Sequence, residues 1–254
     1  MRIEAVFTGV LFMAGLSGCS DTLEPTDQGR VAVGFRMASS ASAGSGELVI
    51  TGSNGTLRIT DISFIVSEFE LEADEDACES QGSDDRCEEF EGPPTFVQVP
   101  LDGDNLVTVT AMVPAGTYHE LEFEVEDIDL DEGDDDAGQI GAVAAAVRAA
   151  FPNWPEEASM VVAGTFTPTG GGGQPVPFTV FFDAEIEIEK ALVPPLVVDQ
   201  QSETIVVTLD PTVWFRRFDG TVLDLSAFDF GRTGEVLEFE AELENGFQKV
   251  EFED

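Results

Sequence analysis

The sequence predicts a mainly β protein: an antiparallel β-sandwich with one inserted helix and a second helix towards its C-terminal end. Three observations point there. Short runs with apolar residues at every second position recur along the chain, the pattern of half-buried strands. Clusters of Gly, Pro, Asn and Asp separate those runs at turn spacing. One alanine-rich stretch has helical spacing instead. Many short strands joined by tight turns bury their apolar faces best as two packed layers.

Taken in order, "RVAVGFRM" places Val31, Val33 and Phe35 on one face of a strand. "ELVITGSNGTLRIT" reads as a hairpin, with Asn54-Gly55 supplying a type I′ turn. "DISFIVSEFELEA" continues as strand, and "TFVQVPL" and "NLVTVTAMV" follow, divided by the "DGD" turn. In "HELEFEV" Leu121, Phe123 and Val125 alternate with Glu122, Glu124 and Glu126, so one face is carboxylate and the other hydrocarbon. "DDDAGQIGAVAAAVRAAFPNWP" breaks the pattern. Its aspartates suit a helix N-terminus, its prolines close the segment, and Ile140, Val143, Val147 and Phe151 form one stripe, which predicts a helix from about 137 to 150. "ASMVVAGTF", "VPFTVFFDAEIEIEK" and "SETIVVTLD" are strands again. "DPTVWFRRFDGTVLDLS" reads as two short strands around an Asp219-Gly220 turn. Over 235–252 two structures compete. Val236, Leu243, Phe247 and Val250 fit a helical stripe, which is favoured; alternation from Leu237 to Leu243 with a turn at Asn245-Gly246 fits a hairpin.

Residues 30–254 contain no linker-like interruption and are predicted to form a single domain. A hydrophobic content of 43% with 20 Phe supplies a core, which excludes a disordered acidic chain. The 51 acidic and 11 basic residues give a net charge of −40, which repels nucleic acid and anionic lipid. The acids are spread over the whole chain, as in a solvated coat suited to a salty exterior; divalent-cation binding is the rival.

Residues 1–18 have the layout of an export signal, with Arg2 ahead of an apolar run too short to span a bilayer. "LSGC", ending at Cys19, resembles the lipobox of bacterial lipoproteins. The resemblance implies cleavage before Cys19, acylation (palmitate among the chains) of that cysteine, and tethering to a lipid bilayer in the cell envelope, facing periplasm or exterior. Each buried CH₂ of such an anchor contributes about 0.8 kcal/mol. Residues 19–29 are then a polar tether. The remaining cysteines, Cys78 and Cys87, lie in "DEDACESQGSDDRCEEF". In an exported chain this pair is expected to form a disulfide that closes one loop and contributes about 2–3 kcal/mol.

The sequence offers little chemistry. His119 is the single histidine, no G-x-S-x-G elbow occurs beyond the signal segment, "HELEF" lacks the second zinc-ligating His, and "TGGGGQP" lacks a phosphate-loop Lys. Catalysis would have to rest on carboxylates alone. The candidate metal site is "DIDLDEGDDD", where Asp127, Asp129 and Asp131 have the spacing that opens a calcium loop and Asp134 stands close by. Glu132 replaces the required Gly, so this is no EF-hand, and a solvated loop capping the helix is the alternative. "VWFRRF" is the candidate binding surface: Trp214 stacks on a sugar while Arg216 or Arg217 grips an acid. The alternative packs Trp214 and Phe218 in the core and pairs both arginines with carboxylates.

"VPAGTYHELEFEV" resembles the Pro-x-Gly-x-Tyr turn and strand of transthyretin-like and carboxypeptidase-regulatory-like sandwiches, and the order of elements resembles bacterial surface lipoproteins built on them. The resemblance implies an immunoglobulin- or transthyretin-like sandwich with Tyr118 covering one end of the core. The expected function is that of a membrane-anchored, non-catalytic binding or scaffold module with a protein or glycan partner. A Ca²⁺-binding adhesion-type domain comes next, and a carboxylate hydrolase last.

Overall fold

The computed structural model describes residues 28–38, 46–73, 90–103, 107–130, 137–170, 173–199, 201–238 and 244–253. With 57% of the described residues in strands and 15% helical, the chain is a mainly β protein of sandwich-like sheets. Fourteen strands are described: β1 Gln28–Met37, β2 Leu48–Thr51, β3 Gly55–Val66, β4 Glu68–Ala73, β5 Phe90–Gly92, β6 Thr95–Gln98, β7 Val107–Pro114, β8 Gly116–Val125, β9 Met160–Pro168, β10 Val176–Asp183, β11 Ile186–Val198, β12 Ser202–Leu209, β13 Leu237–Glu238 and β14 Phe247–Glu253. They form three sheets: β14-β12-β1-β7, then β13-β10-β9-β3-β2 with β6 also on β3, then β11-β8-β4-β5. The sandwich is mixed rather than purely antiparallel, because β1 runs parallel to β12 and β13 runs parallel to β10.

The predicted alternation is realised strand by strand. Val31, Val33, Phe35 and Met37 of β1 are buried, as are Leu121, Phe123 and Val125 of β8. Their apolar faces meet where the three sheets converge. Phe35 of β1 packs edge-on against Phe64 of β3 and Phe123 of β8, with ring centroids 5.5 and 5.7 Å apart. Phe247 of β14 completes the group at 6.1 Å from Phe64 and 5.3 Å from Phe123. Edge-to-face pairs of this kind contribute about 0.5–1.5 kcal/mol each beyond their buried area.

Tyr118, at the start of β8, is buried, and its hydroxyl donates to the Pro114 carbonyl at 2.9 Å, pinning the turn between β7 and β8. Helix α1 spans Ala137–Ala150. It buries Val143 and Val147 against Ile65 and, in part, Phe96, Ile128 and Trp154. Trp154 fixes the end of this segment, its indole N–H donating to the Ala158 carbonyl at 2.7 Å.

The structure revises five local expectations. First, "VPFTVFFDAEIEIEK" is two strands in different sheets, β10 and β11. The chain changes sheet at Ala184, where buried Ser159 accepts from the Ala184 N–H at 2.7 Å and donates to its carbonyl at 2.9 Å. Second, the β2–β3 hairpin forms, but neither Asn54 nor Gly55 has positive φ, so the turn is not type I′. Asn54 is used elsewhere, as described below. Third, Thr212–Phe215 is a short helix, α2, followed by a bridge between Arg216 and Val222 around the expected Gly220 turn. Helical turns at Leu225–Phe228 (3₁₀) and Phe230–Thr233 (α3) follow.

Fourth, the C-terminal segment is not the favoured helix, since β14 pairs antiparallel with β12. Nor is it the hairpin, because β13 pairs with β10 in another sheet. Strand wins because Phe247 reaches the core, and Val250 and Phe252 pack on it, only when β14 extends along β12. Fifth, Phe218 is not a core residue; it is fully exposed.

Candidate functional site

The sheet β11-β8-β4-β5 has one apolar face in the core and one carboxylate face outside. Period two places Glu68, Glu70 and Glu72 of β4 on the face opposite Phe69 and Leu71, and Glu120, Glu122 and Glu124 of β8 opposite Leu121 and Phe123. Glu187 and Glu189 of β11 alternate in the same way with buried Ile186 and Ile188. Register then stacks them across strands. Glu187, Glu124 and Glu68 form one row; Glu189, Glu122, Glu70 and Glu91 of β5 form the next; Glu120 and Glu72 form a third. Directly opposed side chains stand about 4.5–5.5 Å apart at Cβ, and like charges so placed repel.

Three groups are tight enough for their oxygens to lie within 4.8 Å of one another: Glu68–Glu70–Glu91, Glu70–Glu72–Glu122 and Glu122–Glu187–Glu189. Partial burial, a hydrogen bond with Glu187 and the charges of Glu187, Glu70 and Glu189 push the Glu122 carboxyl up to about 7. Glu124 is raised by burial and by Glu68, Glu126 and Glu187. Glu126 is raised by burial and by Asp127 and Glu185, which carries the acidic field past the end of β8. Chemically, such a face favours whatever brings positive charge: protons, divalent cations or basic side chains.

A second feature lies at the end of the β1–β12 pair remote from Gln28. A cleft of about 1030 Å³ is walled by Val213, Trp214, Arg216, Arg217, Phe218 and Leu223, among others. Its turn is clamped by the β2–β3 hairpin. The Ser53 N–H donates to the Gly220 carbonyl at 2.9 Å, and the Asn54 amide donates to the Val222 carbonyl at 2.8 Å and accepts from its N–H at 2.9 Å. A third feature is an apolar groove of about 780 Å³ between α1, β5, β6 and β7, lined by Phe90, Pro93, Phe96, Met112 and Val143.

The residues predicted from sequence fare unevenly. Cys19, Cys78, Cys87, Asp131 and Asp134 lie outside the described residues. Asp127 and Asp129 are exposed beyond β8; burial and the charge of Asp183 raise Asp127. Trp214 is buried, packed at 5.9 Å on Phe247, so it is not a stacking platform for a sugar. Arg216 and Arg217 are exposed at the cleft, with Phe218 beside them as the available ring. Sequence reasoning missed the glutamate rows, although their signal was present: three separate "E-x-E" alternations, whose adjacency depends on sheet order.

No protein-family model matches the sequence, and no curated protein matches it. Among solved structures, MbnP from Methylosinus trichosporium is a distant neighbour, with a TM-score of 0.35 and 14% identity over 78% of this chain and 80% of that one.

Proposed function

We propose that the chain is an exported, lipid-anchored, non-catalytic binding module whose outer carboxylate face takes up cations. Export and anchoring rest on the lipobox-like "LSGC" at Cys19, and the transthyretin-like reading rests on "VPAGTY" with its Tyr118-to-Pro114 bond. The observation that carries the binding reading is the row Glu189–Glu122–Glu70–Glu91, four glutamates set in register across four adjacent strands. A folded sheet gains nothing from such opposition unless protons or cations offset it. Calcium fits the chemistry, being held by six to eight oxygens and bound by extracellular modules with Kd of about 10⁻⁴–10⁻³ M. This moves the Ca²⁺ reading from Asp127, Asp129 and Asp131 to the glutamate face and joins it to the adhesion-type alternative.

Thermal unfolding in EDTA, in millimolar Ca²⁺ and in NaCl matched for ionic strength tests it. Calcium is expected to raise the midpoint beyond the salt control, and Glu122→Gln with Glu189→Gln to remove the excess. Equal effects of Ca²⁺ and matched NaCl would sink the cation site. Anchoring is tested separately: Cys19→Ser should move the protein from the membrane fraction to the soluble one and abolish palmitate labelling.

A further inference from the structure

In a chain with 51 acidic and 11 basic residues, exposed cations normally find carboxylates. Arg36 pairs with Glu251 at 2.7 Å, Arg58 with Glu47 at 3.4 Å and Lys249 with Glu251 at 2.8 Å. Arg216 and Arg217 do not follow suit. Both are exposed, and neither guanidinium makes a hydrogen bond or a close ion pair among the described residues. The carboxylate whose acidity Arg217 helps to raise, Asp219, is already engaged by the Thr221 N–H at 2.9 Å and the Thr221 hydroxyl at 2.6 Å.

Phe218 sits beside them with its ring wholly in solvent, 106% exposed relative to an extended chain. It is not on a loose loop. The Gly220 N–H donates to the Arg217 carbonyl at 3.1 Å, and the Arg217 N–H donates to the Thr221 carbonyl at 2.9 Å. Gly220 takes φ of +80°, which closes the turn at little steric cost. The β2–β3 hairpin holds the far side so closely that a Cβ on Gly52 would stand 2.7 Å from the Val222 nitrogen. Two uncommitted guanidinium forks and an aromatic ring are thus displayed on a preorganised turn at the mouth of the cleft.

We propose that this cleft binds a compact ligand carrying a single carboxylate on an aromatic body. The planar guanidinium matches a carboxylate through two parallel hydrogen bonds. Phe218, with Val213 and Leu223 lining the same cleft, receives the apolar body. At about 1030 Å³ the cleft is at the upper end of the size range of small-ligand sites. The net charge of −40 sets the rest of the selection. A field of that sign repels polyanions and a second copy of this chain, so the ligand's negative charge has to be small and local. A free aromatic acid and the C-terminal aromatic residue of another polypeptide offer the same chemistry. The site shares no residue with the carboxylate face, so it stands or falls independently of the cation reading.

The test is a titration of the isotope-labelled protein with N-acetylphenylalanine, followed through the side-chain resonances of Arg216, Arg217 and Phe218. Saturable shifts confined to the cleft are expected. N-acetylphenylalaninamide, which lacks the carboxylate, should bind at least about tenfold more weakly, and acetate, which lacks the ring, more weakly still. The double variant Arg216→Gln with Arg217→Gln should lose about tenfold, and Phe218→Ala about threefold to tenfold. All three side chains are exposed, so these variants should keep the wild-type unfolding midpoint. An N-blocked glycine tripeptide extended by a C-terminal phenylalanine that binds more tightly than the free acid assigns the cleft to polypeptide ends; the reverse order assigns it to free acids. Equal binding of acid and amide, wild-type affinity in the arginine variant, displacement by polyglutamate, or no saturable shift up to the solubility limit overturns the proposal.

Discussion

Glu122 and Glu187 share a hydrogen bond across the β8–β11 ladder, although each stands directly opposite a different glutamate, Glu189 and Glu124 respectively. Two carboxyl groups bond in this way only with a proton between them. Glu122 therefore retains its proton at a pH where isolated carboxyls have lost theirs, in the middle of the acidic rows.

The consequence for stability has a definite sign. Glu122 titrates near 4.5 in the unfolded chain and at about 7 when folded. Between those values the folded state binds more protons, so stability falls as pH rises through this window and stays low above it. Glu124, Glu126 and Asp127, all raised, act in the same direction. Unfolding midpoints measured at constant ionic strength should decline across the window, and Glu122→Gln should flatten the decline. A midpoint that climbs with pH there would contradict the arrangement.

Tyr118→Phe removes one hydroxyl and leaves the ring in the core. The Pro114 carbonyl loses its 2.9 Å donor. A loss of about 0.5–1.5 kcal/mol in urea unfolding is expected, with the transition still cooperative. No change would mean that the bond at this turn is fully replaced by water.

Gly246→Ala addresses the strand at the end of the core. A Cβ there would fall 1.9 Å from Nε1 of Trp214, whose ring packs on Phe247. Relief requires moving the buried indole or the start of β14, and overpacking of this kind costs about 1–3 kcal/mol. The substitution should lower the unfolding midpoint and alter tryptophan emission together.

Asn54→Ala cuts both hydrogen bonds to Val222, at 2.8 and 2.9 Å. At about 0.5–1.5 kcal/mol each, the summed loss is about 1–3 kcal/mol. Hydrogen exchange at the Val222 amide should speed up while exchange in β8 stays slow. Equal acceleration in both would show that the hairpin clamps the whole fold rather than the cleft.

Features that depend on a single period were legible in the sequence. The "HELEFEV" alternation gave the buried and carboxylate faces of β8, and the Val143–Val147 stripe gave α1. What remained hidden depends on neighbours. Nothing local in "EFELEA", "HELEFEV" and "EIEIE" says that these runs lie side by side; the sheet order β11-β8-β4-β5 decides that. The 235–252 stretch carried both periods, and the pairing of β14 with β12 resolved it. At "VWFRRF" composition could not say which aromatic turns inward. The end of α2 buries Trp214 and Phe215, and the turn after it carries Phe218 out. The candidate cleft was thus legible as a patch, with the wrong ring assigned to its surface.

The sheet built on β1 has a temporal consequence. Its partners come from far along the chain: β12 lies on one side of β1, β14 lies beyond β12, and the Arg36–Glu251 pair spans 215 residues. A nascent chain that has emerged only as far as β9 has made β1 and its antiparallel neighbour β7, but not β12, the strand that runs parallel to β1 on its other side. Closing so long a loop is slow, and β1 waits with an unsatisfied edge until synthesis has passed residue 209. The architecture itself thus postpones the compact state until nearly the whole chain has been made, which is the order of events that the export proposed above would require.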